Sequence, residues 1–179
     1  GSSKRSMKNL DLANKRKNAW GTGLIFNHAI DSIQNVTVAA GFTREISESA
    51  NNTAYYRNAY GLGLAYNFVH TTYGLDLERQ VTKNQGDKRT KNEVRAIVRQ
   101  GLNEDWNVYA MYAYKTDKQF GDTDRTRQFM VGTEYYVYNQ GSLKVKPFLE
   151  WQATRTKYEN STVDRSRDFK TVIGLRAYW

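Results

Sequence analysis

The chain has 179 residues, of which 39% are hydrophobic, 25% charged and 13% aromatic, with a net charge of +9, one proline and no cysteine. This composition excludes a disordered chain and suits a single domain; without cysteine, and with two histidines, neither a disulfide framework nor a structural zinc tetrad can form. The mean hydropathy of −0.78 and the lack of any run near the roughly 18 apolar residues of a spanning helix exclude a helical membrane protein, but an average is blind to strands that are apolar only at every second residue.

Residues 1–18 form a basic N-terminal segment in which Lys4, Arg5, Lys8, Lys15, Arg16 and Lys17 face only Asp11, so more than half of the net charge sits here. It reads as a solvated end, a lipopolysaccharide-facing loop, a tag remnant or a weak first strand around residues 4–13, where Leu10 and Leu12 share a face. No apolar core of about 7–15 residues follows Gly1-Ser2-Ser3, so a secretory signal peptide is not expected and the chain is expected to be mature or excised.

Residues 19–179 read as one domain in which apolar residues recur at period two rather than at helical spacing. In chain order the apolar faces are Trp20/Leu24/Phe26, Val36/Val38/Ala40/Phe42, Tyr60/Leu62/Leu64/Tyr66/Phe68, Tyr73/Leu75/Leu77 and Val94/Ala96/Val98. They continue with Trp106/Val108/Ala110/Tyr112/Tyr114, Phe129/Val131/Thr133/Tyr135/Val137, Leu143/Val145/Pro147/Leu149/Trp151/Ala153 and Phe169/Thr171/Ile173/Leu175/Ala177/Trp179. Tight turns are predicted around 31–33, 69–70, 103–105 and 139–141, and longer polar loops at 47–53, 83–91, 117–125 and 157–167. Short connections at one end and long ones at the other describe an up-and-down meander.

The opposite faces carry Gly21, Gly23, Asn27, Thr37, Gly41, Arg57, Gly61, Gly63, Asn67, Asp76, Glu78, Glu93, Arg95 and Arg99, a poor dry core but an acceptable wet lumen. The predicted fold is therefore an all-β transmembrane antiparallel up-and-down barrel of about ten strands, apolar side outward, in the outer membrane of a Gram-negative cell. Outward aromatics near strand ends (Trp20, Tyr60, Phe68, Tyr73, Trp106, Tyr114, Tyr135, Trp151, Phe169) suit two interfacial girdles facing membrane lipid and lipopolysaccharide. Trp179 resembles a C-terminal signal for the outer-membrane insertion machinery. Pro147 lacks a ladder donor in a fold without edges, so a bulge or a gap in pairing is expected beside it.

A histidine-dependent hydrolase is disfavoured, because His28 falls on the outward face and His70 in a tight turn. The acid pairs Asp76/Glu78 and Asp122/Asp124 read as lumen or loop charge, and no cofactor, metal or catalytic group is expected. Nucleic-acid binding wants a basic stripe with interleaved aromatics, whereas here the charge reads as scattered over both rims and the aromatics are expected on the parity opposite the lumenal bases. Strand parity places Arg57, Arg95, Arg99, Lys115, Lys144, Lys146, Lys170 and Arg176 in the lumen beside the acids Glu45, Asp76, Glu78, Glu93, Asp117, Glu134, Glu150 and Asp168. A track for anions built from Arg57, Arg95, Arg99, Lys144, Lys146, Lys170 and Arg176 is one outcome; mutual neutralisation of these bases by Glu150, Asp168 and Glu93 is the other.

The segments Lys146-Pro147-Phe148-Leu149-Glu150, Asn160-Ser161-Thr162-Val163-Asp164-Arg165 and Val172-Ile173-Gly174-Leu175-Arg176-Ala177-Tyr178-Trp179, with an echo from Trp20 to Thr43, resemble the oligogalacturonate-specific porin family, which includes sialic-acid channels. The resemblance implies a monomeric channel whose lumenal Arg/Lys tracks take acidic sugars, the matching positions being Arg95, Arg99, Lys144, Lys146, Lys170 and Arg176. Members of that family have 12 strands, so this chain would be a smaller relative or lack an N-terminal hairpin. The expected function is passive diffusion of small anionic solutes. A closed barrel serving as anchor, adhesin or the translocating end of a secretion protein is the alternative, and a barrel hydrolase comes third.

Overall fold

The computed structural model describes residues 2–5, 15–48, 54–140, 143–160, 162 and 165–178. They form one antiparallel sheet with no helix among the described residues. In chain order the strands are β1 (Ser2–Arg5), β2 (Lys15–Ala29), β3 (Gln34–Glu48), β4 (Ala54–Phe68), β5 (Thr71–Asn84), β6 (Asp87–Gly101), β7 (Trp106–Gln119), β8 (Asp122–Tyr135), β9 (Tyr138–Gln140), β10 (Leu143–Lys157) and β11 (Arg165–Tyr178). Each pairs with the next along the chain, except that β8 pairs with β10 and β9 is a short appendage on β10. Nine of the strands have 14 or 15 residues, the nine that alternation predicts. Among the described residues no pairing joins β11 back to β2, so the sheet is open.

Two of the predicted long loops are corrected. Strands β5 and β6 meet at Gln85-Gly86 (φ 50° and 93°), and β7 and β8 at Phe120-Gly121 (φ 52° and 90°). Positive φ at both central residues is the signature of the type I′ turn, whose twist matches that of the flanking strands. Segments 83–91 and 117–125 looked like loops because they are polar on both faces; the ladder runs through them regardless, as Asn84↔Asp87 and Gln119↔Asp122. Strand β2 likewise begins at Lys15, inside the segment expected to precede the barrel, and β1 pairs with it. Most of the predicted weak strand at 4–13, all of the loop 49–53 and Trp179 lie outside the described residues.

The predicted turn at 139–141 also changes, because Tyr138–Gln140 is itself a strand. Strand β10 pairs with β8 from Phe148↔Glu134 onward and with β9 from Val145↔Tyr138 back. Three residues, Tyr135, Tyr136 and Val137, therefore stand opposite two, Lys146 and Pro147. That one-residue bulge is the interruption expected beside Pro147, whose ring nitrogen cannot donate.

The two faces are inverted relative to a soluble protein. Among the described residues the buried ones are Tyr109, Ala113, Glu134 and Lys146, all on the polar face, whereas Leu62 and Val94, on the apolar face of interior strands, are 40% and 42% exposed. A single-layer sheet can bury side chains only by curving, so the polar face is the concave one. Inward glycines allow this curvature: Tyr109 lies across Gly132, its register partner, and Phe148 across Gly174, where an added Cβ would come within 2.5 and 2.4 Å of the rings.

Candidate functional site

The concave face carries a charged cluster centred on Glu134, whose side chain is fully buried. Arg99 Nη1 on β6 donates to Glu134 Oε1 across 2.8 Å, and Lys146 Nζ on β10 donates to the same oxygen at 3.2 Å. Arg176 on β11 donates through Nη1 to Glu134 Oε2 at 3.1 Å and through Nη2 to Glu150 Oε1 at 2.8 Å. Tyr109 Oη also donates to Glu150 Oε1, at 2.5 Å. Several of these bonds skip a strand, as Arg99 on β6 to Glu134 on β8, which is possible only where side chains converge on the inside of a curve. Phe148 supports Arg176 from beneath, ring to guanidinium 4.0 Å, while Lys146 Nζ lies between the rings of Tyr136 (4.8 Å) and Tyr178 (5.1 Å).

Three cations and two carboxylates leave the cluster one charge positive. Lys146 is consumed in it, with 8% of its side chain exposed, but Arg99 and Arg176 remain 41% and 34% exposed and turn unused N–H groups to the concave side.

The other predicted bases are dispersed. Arg95 binds Glu93 at 2.6 Å and Asp76 at 3.9 Å, and Lys115 binds Glu93 at 3.3 Å. Arg57 approaches Glu45 at 4.0 Å. Lys170 sits opposite Gln152 on the wall adjoining β10, three inward positions along β11 from Arg176, and so lies apart from the cluster. Lys144 is exposed next to Lys146 on the same strand face. Of the seven residues proposed for a track, the structure thus brings together Arg99, Lys146 and Arg176, with Lys144 alongside, and leaves Arg57, Arg95 and Lys170 apart. Mutual neutralisation is realised at Glu93 and Glu150, but the principal acid is Glu134, which parity placed inside without assigning it partners.

Away from this cluster the concave face is open. Gly23, Gly41, Gly61 and Gly63 line a cavity of about 540 Å³ whose far wall carries Asp76, Glu78, Glu93 and Arg95. His70 lies in the β4–β5 turn as read from sequence, and His28, read as outward-facing, stacks on Phe26 at 6.3 Å near the end of β2.

Near the opposite end Arg89 chelates Asp117 through Nε (2.7 Å) and Nη2, with Lys91 3.8 Å away. This hydrogen bonding holds the Asp117 carboxyl below its ordinary 3.8, against a smaller opposing effect of burial, and raises the pKa of the Arg89 guanidinium.

No protein-family model matches the chain, and no curated protein matches it.

Proposed function

We propose that the chain forms a closed, monomeric outer-membrane β-barrel that acts as a passive channel for small anionic solutes, acidic oligosaccharides among them. The inversion of the two faces carries this reading. Glu134 and Lys146 are buried while Leu62, Leu64, Val94, Val98, Phe129 and Val131 on interior strands are 38–44% exposed, an arrangement costly in water and favourable with lipid outside and water inside. On β4 the outward aromatics Tyr60 and Phe68 are eight residues apart, about 26 Å along the strand and about 20 Å once tilted, near the roughly 25 Å of an outer-membrane apolar band. The free edge of β11 and the edge of β2 beyond Asn18, where its pairing with β1 ends, each present an apolar row on one face; such edges are aggregation-prone in water and safe when joined. Nine alternating long strands would leave these edges parallel; a strand at the β1 position runs antiparallel to β2 and makes an antiparallel closure.

Within such a barrel the half-exposed guanidiniums of Arg99 and Arg176 lower the entry barrier for a carboxylate. Because each is already held by a carboxylate of the protein, binding stays weak enough for release. Planar-bilayer conductance with reversal potentials under a salt gradient tests this: single-channel steps with anion preference are expected, and cation preference overturns it. A second reading, a closed structural barrel, is favoured by the ion-pairing of Arg95, Arg99, Lys146 and Arg176. Absence of conductance from an inserted protein would select it.

A further inference from the structure

The convex face carries a second charged feature with the opposite design. On β8, β10 and β11 the outward parity that supplies Phe129, Trp151 and Phe169 continues past these aromatics as Arg127 and Arg125, Arg155 and Lys157, and Arg167 and Arg165. The register aligns them into two rows. Arg127↔Arg155↔Arg167 lies next to Phe129↔Ala153↔Phe169, and Arg125↔Lys157↔Arg165 lies beyond it. With strands about 4.8 Å apart and same-face residues about 6.8 Å apart, six cations occupy a patch of roughly 10 by 7 Å. All six are exposed, and five of them line a shallow cleft of about 170 Å³.

Like charges facing each other across strands destabilise a sheet, and among the described side chains of the strands no acid on this face offsets them. Among the described residues none of the six has an ion pair, and none of the described outward-pointing side chains of the nine long strands is acidic. Of the acids at this end, Asp117, Asp122, Asp124 and Asp168 occupy the opposite parity, and Glu159, just past β10, is engaged by the Thr123 backbone N–H. Directly below the rows Trp151 stacks with Phe169 at 6.1 Å and meets Phe129 edge-on at 6.5 Å, a packed aromatic shelf at the level where an interfacial girdle would sit.

We propose that this grid binds the phosphates of a phosphorylated glycolipid in the outer leaflet, with the lipid's acyl chains against the apolar face below the shelf. The assignment rests on the outer-membrane reading above. Phosphomonoesters are favoured over phosphodiesters because each approaches two negative charges at neutral pH, so a bisphosphorylated headgroup matches a patch of +6 where a phospholipid brings a single charge. Five of the six cations are arginine, which takes phosphate in bidentate fashion. The grid also orients the chain: the end bearing the Gln85-Gly86 and Phe120-Gly121 turns faces outward. Loop length cannot supply this orientation, since those two connections are as short as the Val69-His70 turn at the other end.

The test uses the full chain refolded into phosphatidylcholine vesicles, into vesicles containing bisphosphorylated lipid A, and into vesicles carrying phosphatidylglycerol at equal charge. Bound lipid is read by native mass spectrometry. Wild type should retain lipid A over phosphatidylglycerol, resist displacement by inorganic phosphate, and bind at least about tenfold more lipid A than R127Q/R155Q/R167Q. R125Q/R165Q, further from the aromatic shelf, gives the same comparison if the triple variant does not fold. Equal binding by the variants, equal retention of phosphatidylglycerol, or displacement by inorganic phosphate overturns the headgroup site while leaving the barrel standing. Failure of wild type to insert into phosphatidylcholine overturns the barrel reading itself.

Discussion

Glu134→Gln separates a charged cluster that organises the concave face from one that merely decorates it. The carboxylate is fully buried and accepts from three cations, but these partners would suffer unequally. Arg176 keeps Glu150 at 2.8 Å, and Arg99 is 41% exposed and can be hydrated. Lys146, with 8% of its side chain exposed, would be left among aromatic rings with no carboxylate. Removing one partner of a buried pair costs about 3–5 kcal/mol, and the hydrated arginines place this case near 3. Lys146→Met alone should cost about 1 kcal/mol, because Glu134 retains two guanidiniums. The double variant should then cost about 1.5 kcal/mol, well below the sum, since the stranded charge has gone. Guanidinium unfolding in neutral detergent micelles, followed by tryptophan fluorescence, measures all three. Additive effects, or Glu134→Gln within about 0.5 kcal/mol of wild type, would refute the reasoning. In conductance, Glu134→Gln should strengthen anion preference.

The glycine positions give a contrast within one experiment. Gly132→Ala and Gly174→Ala drive a Cβ to within 2.5 and 2.4 Å of Tyr109 and Phe148 and should each cost about 1–3 kcal/mol by overpacking, whereas Gly61→Ala meets nothing within 4 Å and should be near neutral by the same unfolding assay. At the β7–β8 turn, Gly121→Ala forces a side chain onto φ 90° and should cost about 1 kcal/mol, while Phe120→Asn, at φ 52°, should gain about 0.5 kcal/mol because Asn tolerates the left-handed region. Asp117 has its carboxyl lowered, so the stability it contributes is present above its ordinary 3.8 and is lost as pH falls through the lowered value. Asp117→Asn should flatten the acid limb of thermal stability against pH by about 0.5 kcal/mol at most, given the exposure of its partner Arg89.

Alternation made the nine long strands legible, together with the side of the sheet each residue faces, because period two is a direct consequence of the pleat. Strand length was not legible. In β5 to β8 the segments beyond the aromatics are polar on both faces, so hydropathy could not distinguish them from loops; the distinguishing signal was Gln85-Gly86 and Phe120-Gly121, each supplying a glycine at the second position of a type I′ turn. For the cluster, parity put Arg99, Lys146, Arg176, Glu134 and Glu150 on one face, but partner choice depends on curvature, which brings β6 near β8 and β8 near β11. A flat sheet would have paired only neighbours. The convex cations carried a sequence signal of their own: Arg125/Arg127, Arg155/Lys157 and Arg165/Arg167 keep the parity of the apolar face, whereas a solvated loop would have scattered them.

Pro147 links these levels. Its missing donor breaks the β8–β10 ladder, and the extra residue of the resulting bulge is taken up at Tyr135 to Val137. Beyond the break, pairing resumes through Val137 N–H to Val145 O at 3.0 Å. The bulge leaves Lys146, the neighbour of Pro147, without a register partner on β8, and Tyr136 fills that space with its ring 4.8 Å from the ammonium. On its other side β10 remains in register, Lys146↔Arg176. Two cations directly opposite one another are unfavourable by themselves, and Glu134, one residue before the bulge, is the acid that reconciles them. The proline therefore acts beyond its own position: it opens the ladder where the most buried cation of the concave face must meet a carboxylate from the neighbouring strand. Replacing it with a residue that restores the ladder should release Tyr136 and raise the exposure of Lys146.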